Sequence, residues 1–72
     1  MNDENKSIRF KRLAKLRGER ILKDIHILGN LSNKNNYSYS EEDVRKLFSP
    51  IEEELRLAKI RFASRKRNEI KF

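Results

Sequence analysis

The sequence predicts an all-α protein, an antiparallel helical hairpin in which two amphipathic helices are joined by a polar loop. Two ladders recur at helical spacing, apolar apart from one arginine: Phe10, Ala14, Arg17, Ile21, Ile25 and Leu28, then Val44, Leu47, Ile51, Leu55, Ala58 and Phe62. When the first residue of one ladder is paired with the last residue of the other, and so on inward, the two residue numbers of each pair add to 72, as for Ile21 and Ile51. A constant sum is expected when two helices rise at the same rate from one loop, so the ladders predict a hairpin.

The first helix is predicted to begin near Ser7, which is a candidate N-cap, after residues 1–6, which are polar and expected to fray. It extends through the first ladder to Gly29-Asn30, two residues that tolerate left-handed geometry at a helix end. Gly18 lies inside this helix and costs about 1 kcal/mol relative to alanine. Its presence indicates close packing or a bend.

The loop, at about residues 29–40, is rich in asparagine and serine, whose side chains satisfy nearby backbone groups. We interpret its asparagines as turn formers and not as readers of nucleic-acid bases. It is long for a connection between helices. We therefore expect Leu31 and one or both of Tyr37 and Tyr39 to fold back and cap the hairpin.

The second helix has a strong start signal at Ser40, because an N-cap hydroxyl is followed by an acidic residue at the third helical position, Asp43. Ser49-Pro50 repeats this pattern. Either the chain breaks there between two helices, or one helix bends at Pro50. The ladder keeps its phase across the proline, which favours a bend or a tight break. Residues from about 67 to 72 are predicted to fray.

Arg17 lies within the apolar arc of the first helix, opposite Leu55 in the predicted pairing. It either forms a buried ion pair with Glu54, or packs its aliphatic stem across the predicted contact between the two helices and keeps its charge in water. The second alternative is favoured.

A chain of 72 residues predicts one small domain, residues 1–72, with a thin core. Two helices cannot bury both sides of their apolar stripes, so the hairpin is predicted to form a homodimeric four-helix bundle or to dock on a partner. The candidate interface residues are Leu16, Leu57, Ile60, Tyr37 and Tyr39. The alternative is that the aliphatic residues are scattered on the surface, as is ordinary in soluble proteins.

No pattern of catalytic or ligand-binding residues is found. Cysteine is absent, and His26 is the single histidine. Three consecutive residues, Glu52-Glu53-Glu54, point in different directions on a helix and cannot converge on one metal ion. We predict no catalytic residue, metal site, cofactor or small-molecule substrate, and we do not expect an enzyme. No apolar run could cross a bilayer or serve as a secretion signal, so we expect a cytoplasmic protein without membrane contacts.

Charge is distributed unevenly along the chain. Residues 6–23 hold eight cations and one acid, residues 59–71 hold six cations and one acid, and residues 41–54 hold six acids and two cations. In the predicted hairpin the two basic segments lie side by side. Cations such as Arg9 and Arg12 would crowd the positive end of the first helix, which is unfavourable unless an anion binds there. We expect nucleic-acid phosphates or an acidic protein surface.

Four cations share the face of the first helix opposite the ladder, and three more lie in the second basic segment. The predicted nucleic-acid site consists of Arg9, Arg12, Lys15, Lys23, Arg65, Lys66 and Arg67. Helix-turn-helix, zinc-finger and basic-zipper patterns are missing, so contact is predicted to be nonspecific or driven by shape. The alternative is a protein-binding module or inhibitor that acts through the apolar surface and the loop tyrosines.

One stretch resembles a family. It comprises Ile25-His26-Ile27-Leu28-Gly29-Asn30-Leu31-Ser32-Asn33-Lys34, Tyr37-Ser38-Tyr39-Ser40-Glu41-Glu42-Asp43-Val44, Phe48, Ile51-Glu52 and Glu54-Leu55 through Phe62. It resembles small uncharacterised proteins encoded on plasmids, integrative elements and phages of Gram-positive bacteria. The resemblance covers residues from about 10 to 62 and carries over no catalytic residue. It implies an accessory protein of a mobile element, either a DNA-associated regulator or an inhibitor of host defence machinery.

Overall fold

The protein is all-α, as predicted. A computed structural model describes the backbone of residues 3–66 and the side chains of residues 5–63. Its elements are α1 (Asp3–Gly29), a short 3₁₀ turn (Asn30–Ser32) and α2 (Glu41–Lys66). No strand occurs in residues 3–66, and the helix–loop–helix order that a hairpin requires is confirmed. The chain divides into two structural units, Met1–Tyr37 and Ser38–Phe72.

α1 begins at Asp3, earlier than the predicted start near Ser7. The expectation that residues 1–6 fray is therefore wrong for residues 3–6, while residues 1 and 2 lie outside the described part. The physical reason is that helix propagation adds one hydrogen bond for each residue fixed, and neither glycine nor proline interrupts the segment before Ser7. A serine alone does not define a helix start.

The end of α1 also differs from the prediction. Gly29 has φ −62° and ψ −20°, which is ordinary right-handed geometry, and no described residue has a positive φ. The expected left-handed end is wrong. The helix instead tightens into the 3₁₀ turn, and the Asn33 N–H donates to the Asn30 carbonyl at 3.4 Å. This bond satisfies a terminal carbonyl without a left-handed residue.

Asn33 organises the loop. Its side-chain Oδ1 accepts the Asn35 N–H at 2.9 Å, and its carbonyl accepts the N–H groups of Asn36 at 3.1 Å and Tyr37 at 3.0 Å. An asparagine side chain that holds the backbone two residues later is an Asx turn. The interpretation as a turn former is confirmed for Asn33. Leu31 and Tyr37 are exposed, whereas Tyr39 is half-buried.

α2 begins with the predicted cap. The Ser40 hydroxyl accepts the Asp43 N–H at 3.1 Å, and the Asp43 carboxylate accepts the Ser40 N–H at 2.9 Å. These reciprocal bonds satisfy two backbone donors at the helix start. Three acidic residues, Glu41, Glu42 and Asp43, occupy the first turn, where the helix dipole favours negative charge.

α2 continues through Pro50, which lies inside the helix. Of the two alternatives at this point, the break is wrong, and Ser49-Pro50 does not start a new helix. Because proline has no N–H, the Lys46 carbonyl receives no helical bond from residue 50. The bend at Pro50 stays a prediction.

The apolar ladders are not buried. Among the described side chains none reaches full burial, and the exposed fraction is 36% at Leu47, 55% at Leu55 and 56% at Ile21. Gly18 was expected to mark close packing or a bend, but a Cβ added there would meet nothing within 4 Å. The close-packing alternative is therefore wrong. Neither described helix is long and apolar enough for a membrane span.

Candidate nucleic-acid interface

Four cations of the predicted site lie on α1. An α-helix turns by about 100° for each residue, so Arg9, Arg12, Lys15 and Lys23 occupy one side of α1, opposite its ladder. All four are exposed. We call this side of α1 the basic face. It is defined by Arg9, Arg12, Lys15, Glu19, Arg20 and Lys23.

Two members of the basic face were missed by the sequence reasoning. Arg20 follows Arg9 by eleven residues, close to three helical turns, and therefore points to nearly the same side. The helical period of the sequence was sufficient to find it. Glu19 lies on the same side and binds Lys15, whose Nζ is 3.0 Å from the Glu19 Oε2. Its place on the face also follows from the helical period, but only the structure shows that its carboxylate binds a predicted site residue.

The remaining cations form two clusters. The first is Arg9 and Arg12, and the second is Arg20 and Lys23. Corresponding members are eleven residues apart, which is about 16 Å at a rise of about 1.5 Å per residue. Leu16, which is 52% exposed, and the Lys15–Glu19 pair lie between the clusters.

The earlier start of α1 changes one electrostatic argument. Arg9 is the seventh residue of a helix that begins at Asp3, and the effect of the helix dipole falls off within the first turn. The prediction that Arg9, Lys11 and Arg12 crowd the positive end of the helix is therefore wrong. What remains is repulsion among neighbouring cations, because like charges three or four residues apart on a helix are destabilising.

In α2, two arginines form ion pairs with glutamates of the same helix. Arg45 donates to Glu42. Arg56 binds Glu53 through two hydrogen bonds of 3.0 Å and 2.7 Å. The bonds from Arg56 lower the pKa of the Glu53 carboxyl, and Glu53 raises the pKa of Arg56. Both directions agree with an ion pair, so these α2 cations are bound within their own helix.

The second basic segment is only partly described. The backbone places Arg65 and Lys66 in the last turn of α2. Their side chains, and the whole of Arg67, lie outside the described part. A combined site with the basic face stays a prediction.

The predicted protein-interface residues fall into separate groups. Leu57 and Ile60, 41% and 45% exposed, are three residues apart and therefore neighbours on α2. Leu16 instead lies within the basic face. Tyr37 is exposed and Tyr39 is half-buried, both near the end of the loop. α2 thus brings together only the pair Leu57 and Ile60.

The described side chains include no group of three or more histidine, cysteine or acidic residues that could hold a metal ion. No protein-family model matches the chain, and neither curated proteins nor solved structures provide a similar one. The basic face is therefore interpreted from its own chemistry.

Proposed function

We propose that the protein binds nucleic acid, or a nucleoprotein complex, through the basic face of α1. The observation that carries this proposal is the excess of cations over ion pairs in α1. Among the described side chains of α1, eight are cationic, and Lys15 alone forms an ion pair within the chain. Seven exposed cations on one helix repel each other, and a polyanion removes that repulsion.

The proposed contact is with phosphates. Arginine and lysine neutralise phosphate charges and release the counterions condensed on the nucleic acid, so affinity falls steeply as salt rises. Such contacts position a protein on its ligand but do not read the bases. The proposal is therefore sequence-independent binding. In keeping with the family resemblance, we propose a regulatory accessory role in the cytoplasm for a mobile element.

The test is fluorescence anisotropy with a labelled oligonucleotide between 50 and 200 mM salt. Each phosphate contact contributes about 0.9 to the slope of log affinity against log salt on duplex DNA. We expect Arg12→Gln to lower affinity and to reduce the slope by about 0.9.

Arg56→Gln is the matched control, because it removes the same charge from a residue already bound to Glu53. Its slope should stay close to that of the original protein. Equal losses in both variants would show that net charge alone matters. No binding at 50 mM salt would refute the proposal.

The alternative function is a protein-binding module, favoured by the exposed neighbours Leu57 and Ile60. An apolar contact depends little on salt. Leu57→Asp with Ile60→Asp should then abolish capture of the native partner while Arg12→Gln leaves it unchanged. The opposite pattern supports the basic face.

A further inference from the structure

We infer that the ligand is double-stranded DNA in the B form, and that the two cation clusters of the basic face bind phosphates on opposite sides of the major groove. This inference rests on the proposed function and specifies the ligand of the same face. Three features of α1 carry it: the spacing of the clusters, the carboxylate between them, and the position of the aromatic residue.

The first feature is distance. Arg9 and Arg20, like Arg12 and Lys23, are separated by about 16 Å along the axis of α1. The major groove of B-form DNA is about 12 Å wide and the minor groove about 6 Å wide. A helix that crosses the major groove can therefore set one cluster against each wall, whereas the clusters are too far apart for the minor groove.

The second feature is Glu19. Its side chain is 63% exposed, and it lies between the clusters on the side that faces the ligand. A single phosphate chain running along α1 would pass the neutral Lys15–Glu19 pair there and gain no net attraction between the clusters. A helix that bridges a groove presents Glu19 and Leu16 to the gap between the backbones, where no phosphate lies.

The third feature is the absence of a stacking surface from the basic face. Single-stranded nucleic acid is usually bound by aromatic side chains on which successive bases stack. α1 holds one residue of the phenylalanine, tyrosine and tryptophan types, Phe10, and its position belongs to the ladder on the other side. Contact with the basic face is therefore made through charge, which suits the dense and regular phosphates of a duplex.

The experiment compares three labelled probes of about 20 nucleotides or base pairs at equal salt: duplex DNA, its single strand, and duplex RNA of the same sequence. We expect the DNA duplex to bind roughly tenfold tighter than either other probe, because the A-form major groove is narrow and a single strand lacks a second wall. Equal binding of the single strand or of the RNA duplex would overturn the groove-bridging inference while leaving nucleic-acid binding intact. Binding of none of the three would refute the proposed function itself.

A residue exchange tests the geometry at constant composition. Arg20→Ile with Ile21→Arg keeps the net charge but moves one cation about 100° around α1, out of the basic face and onto the side of the ladder. We expect duplex affinity to fall several-fold and the salt slope to fall by about 0.9. Circular dichroism should show unchanged helicity. An unchanged slope in this variant would show that position on the helix is irrelevant, which would overturn the bridging geometry.

Discussion

α1 and α2 are almost equal in length, 27 and 26 residues, and both carry an apolar ladder, but ion pairs hold a larger share of the described cations in α2 than in α1. Among the described side chains of α2, two of the five cations are paired within the helix, Arg45 with Glu42 and Arg56 with Glu53, and Asp43 closes a capping box. In the described part of α1, the Lys15–Glu19 pair is the one ion pair. α1 therefore keeps more of its described cations available to a ligand.

The interruptions of the two helices differ as well. Pro50 removes a backbone donor from α2, whereas Gly18 in α1 only increases the entropy lost on folding. α2, which begins with the capping box, therefore contains the more costly interruption. The following predictions test this comparison.

The largest effect is expected at Pro50. Pro50→Ala restores a donor for the Lys46 carbonyl and should raise the free energy of unfolding by about 3 kcal/mol, the usual cost of proline inside a helix. Urea unfolding followed by circular dichroism measures the change. Ser49→Ala is the control and should shift stability far less. A lower stability in Pro50→Ala would contradict the prediction.

The capping box should matter next. Ser40→Ala leaves the Asp43 N–H without its side-chain acceptor and should cost about 1 kcal/mol in the same unfolding measurement. Ser38→Ala removes an exposed hydroxyl from the loop and serves as the matched control. If both variants lost equal stability, the cap would not be the cause.

Gly18→Ala should stabilise α1 by about 0.8–1 kcal/mol, because alanine is the better helix former and its Cβ enters open space. Gly29→Ala meets equally open space but lies at the helix end, so its gain in thermal stability should be smaller. A loss of stability in Gly18→Ala would reveal packing at this position in the native assembly.

Glu19→Gln should raise affinity for nucleic acid about two- to threefold, since it frees Lys15 from an exposed ion pair of modest strength. The gain should be greater for single-stranded than for duplex DNA, because a strand running along α1 would contact the freed Lys15, whereas a duplex that bridges the two clusters would not. Glu53→Gln breaks a comparable pair in α2 and is the control. A larger gain in affinity for Glu53→Gln than for Glu19→Gln would argue against binding through the basic face.

The smallest effect concerns pH. The bonds from Arg56 hold the pKa of the Glu53 carboxyl below its usual 4.5. The stabilising ion pair is therefore present above that value and is lost as pH falls through the lowered pKa. An NMR titration should place the Glu53 midpoint below those of unpaired glutamates, and Arg56→Gln should return it to the ordinary range. An unchanged midpoint would refute the pairing.

Features with a local cause could be predicted from the sequence. The capping box needs only Ser40 and Asp43, and the helical class needs only the spacing of the ladders. The start of α1 could not be predicted from Ser7, because a helix can propagate through residues that precede a candidate N-cap. The basic face was predicted incompletely: Arg20 follows from the helical period, but the pairing of Glu19 with Lys15 is a side-chain choice that spacing alone does not fix.

The turn at Asn33 and the cap at Ser40 have one practical consequence. Each closes through hydrogen bonds that span at most four residues, so neither depends on the length of chain between Tyr37 and Ser40. Extra residues placed after Tyr37 would add only the slowly growing entropy of a longer flexible tether. This junction is where a spectroscopic tag or a designed spacer can be inserted while both flanking helices keep their own ends.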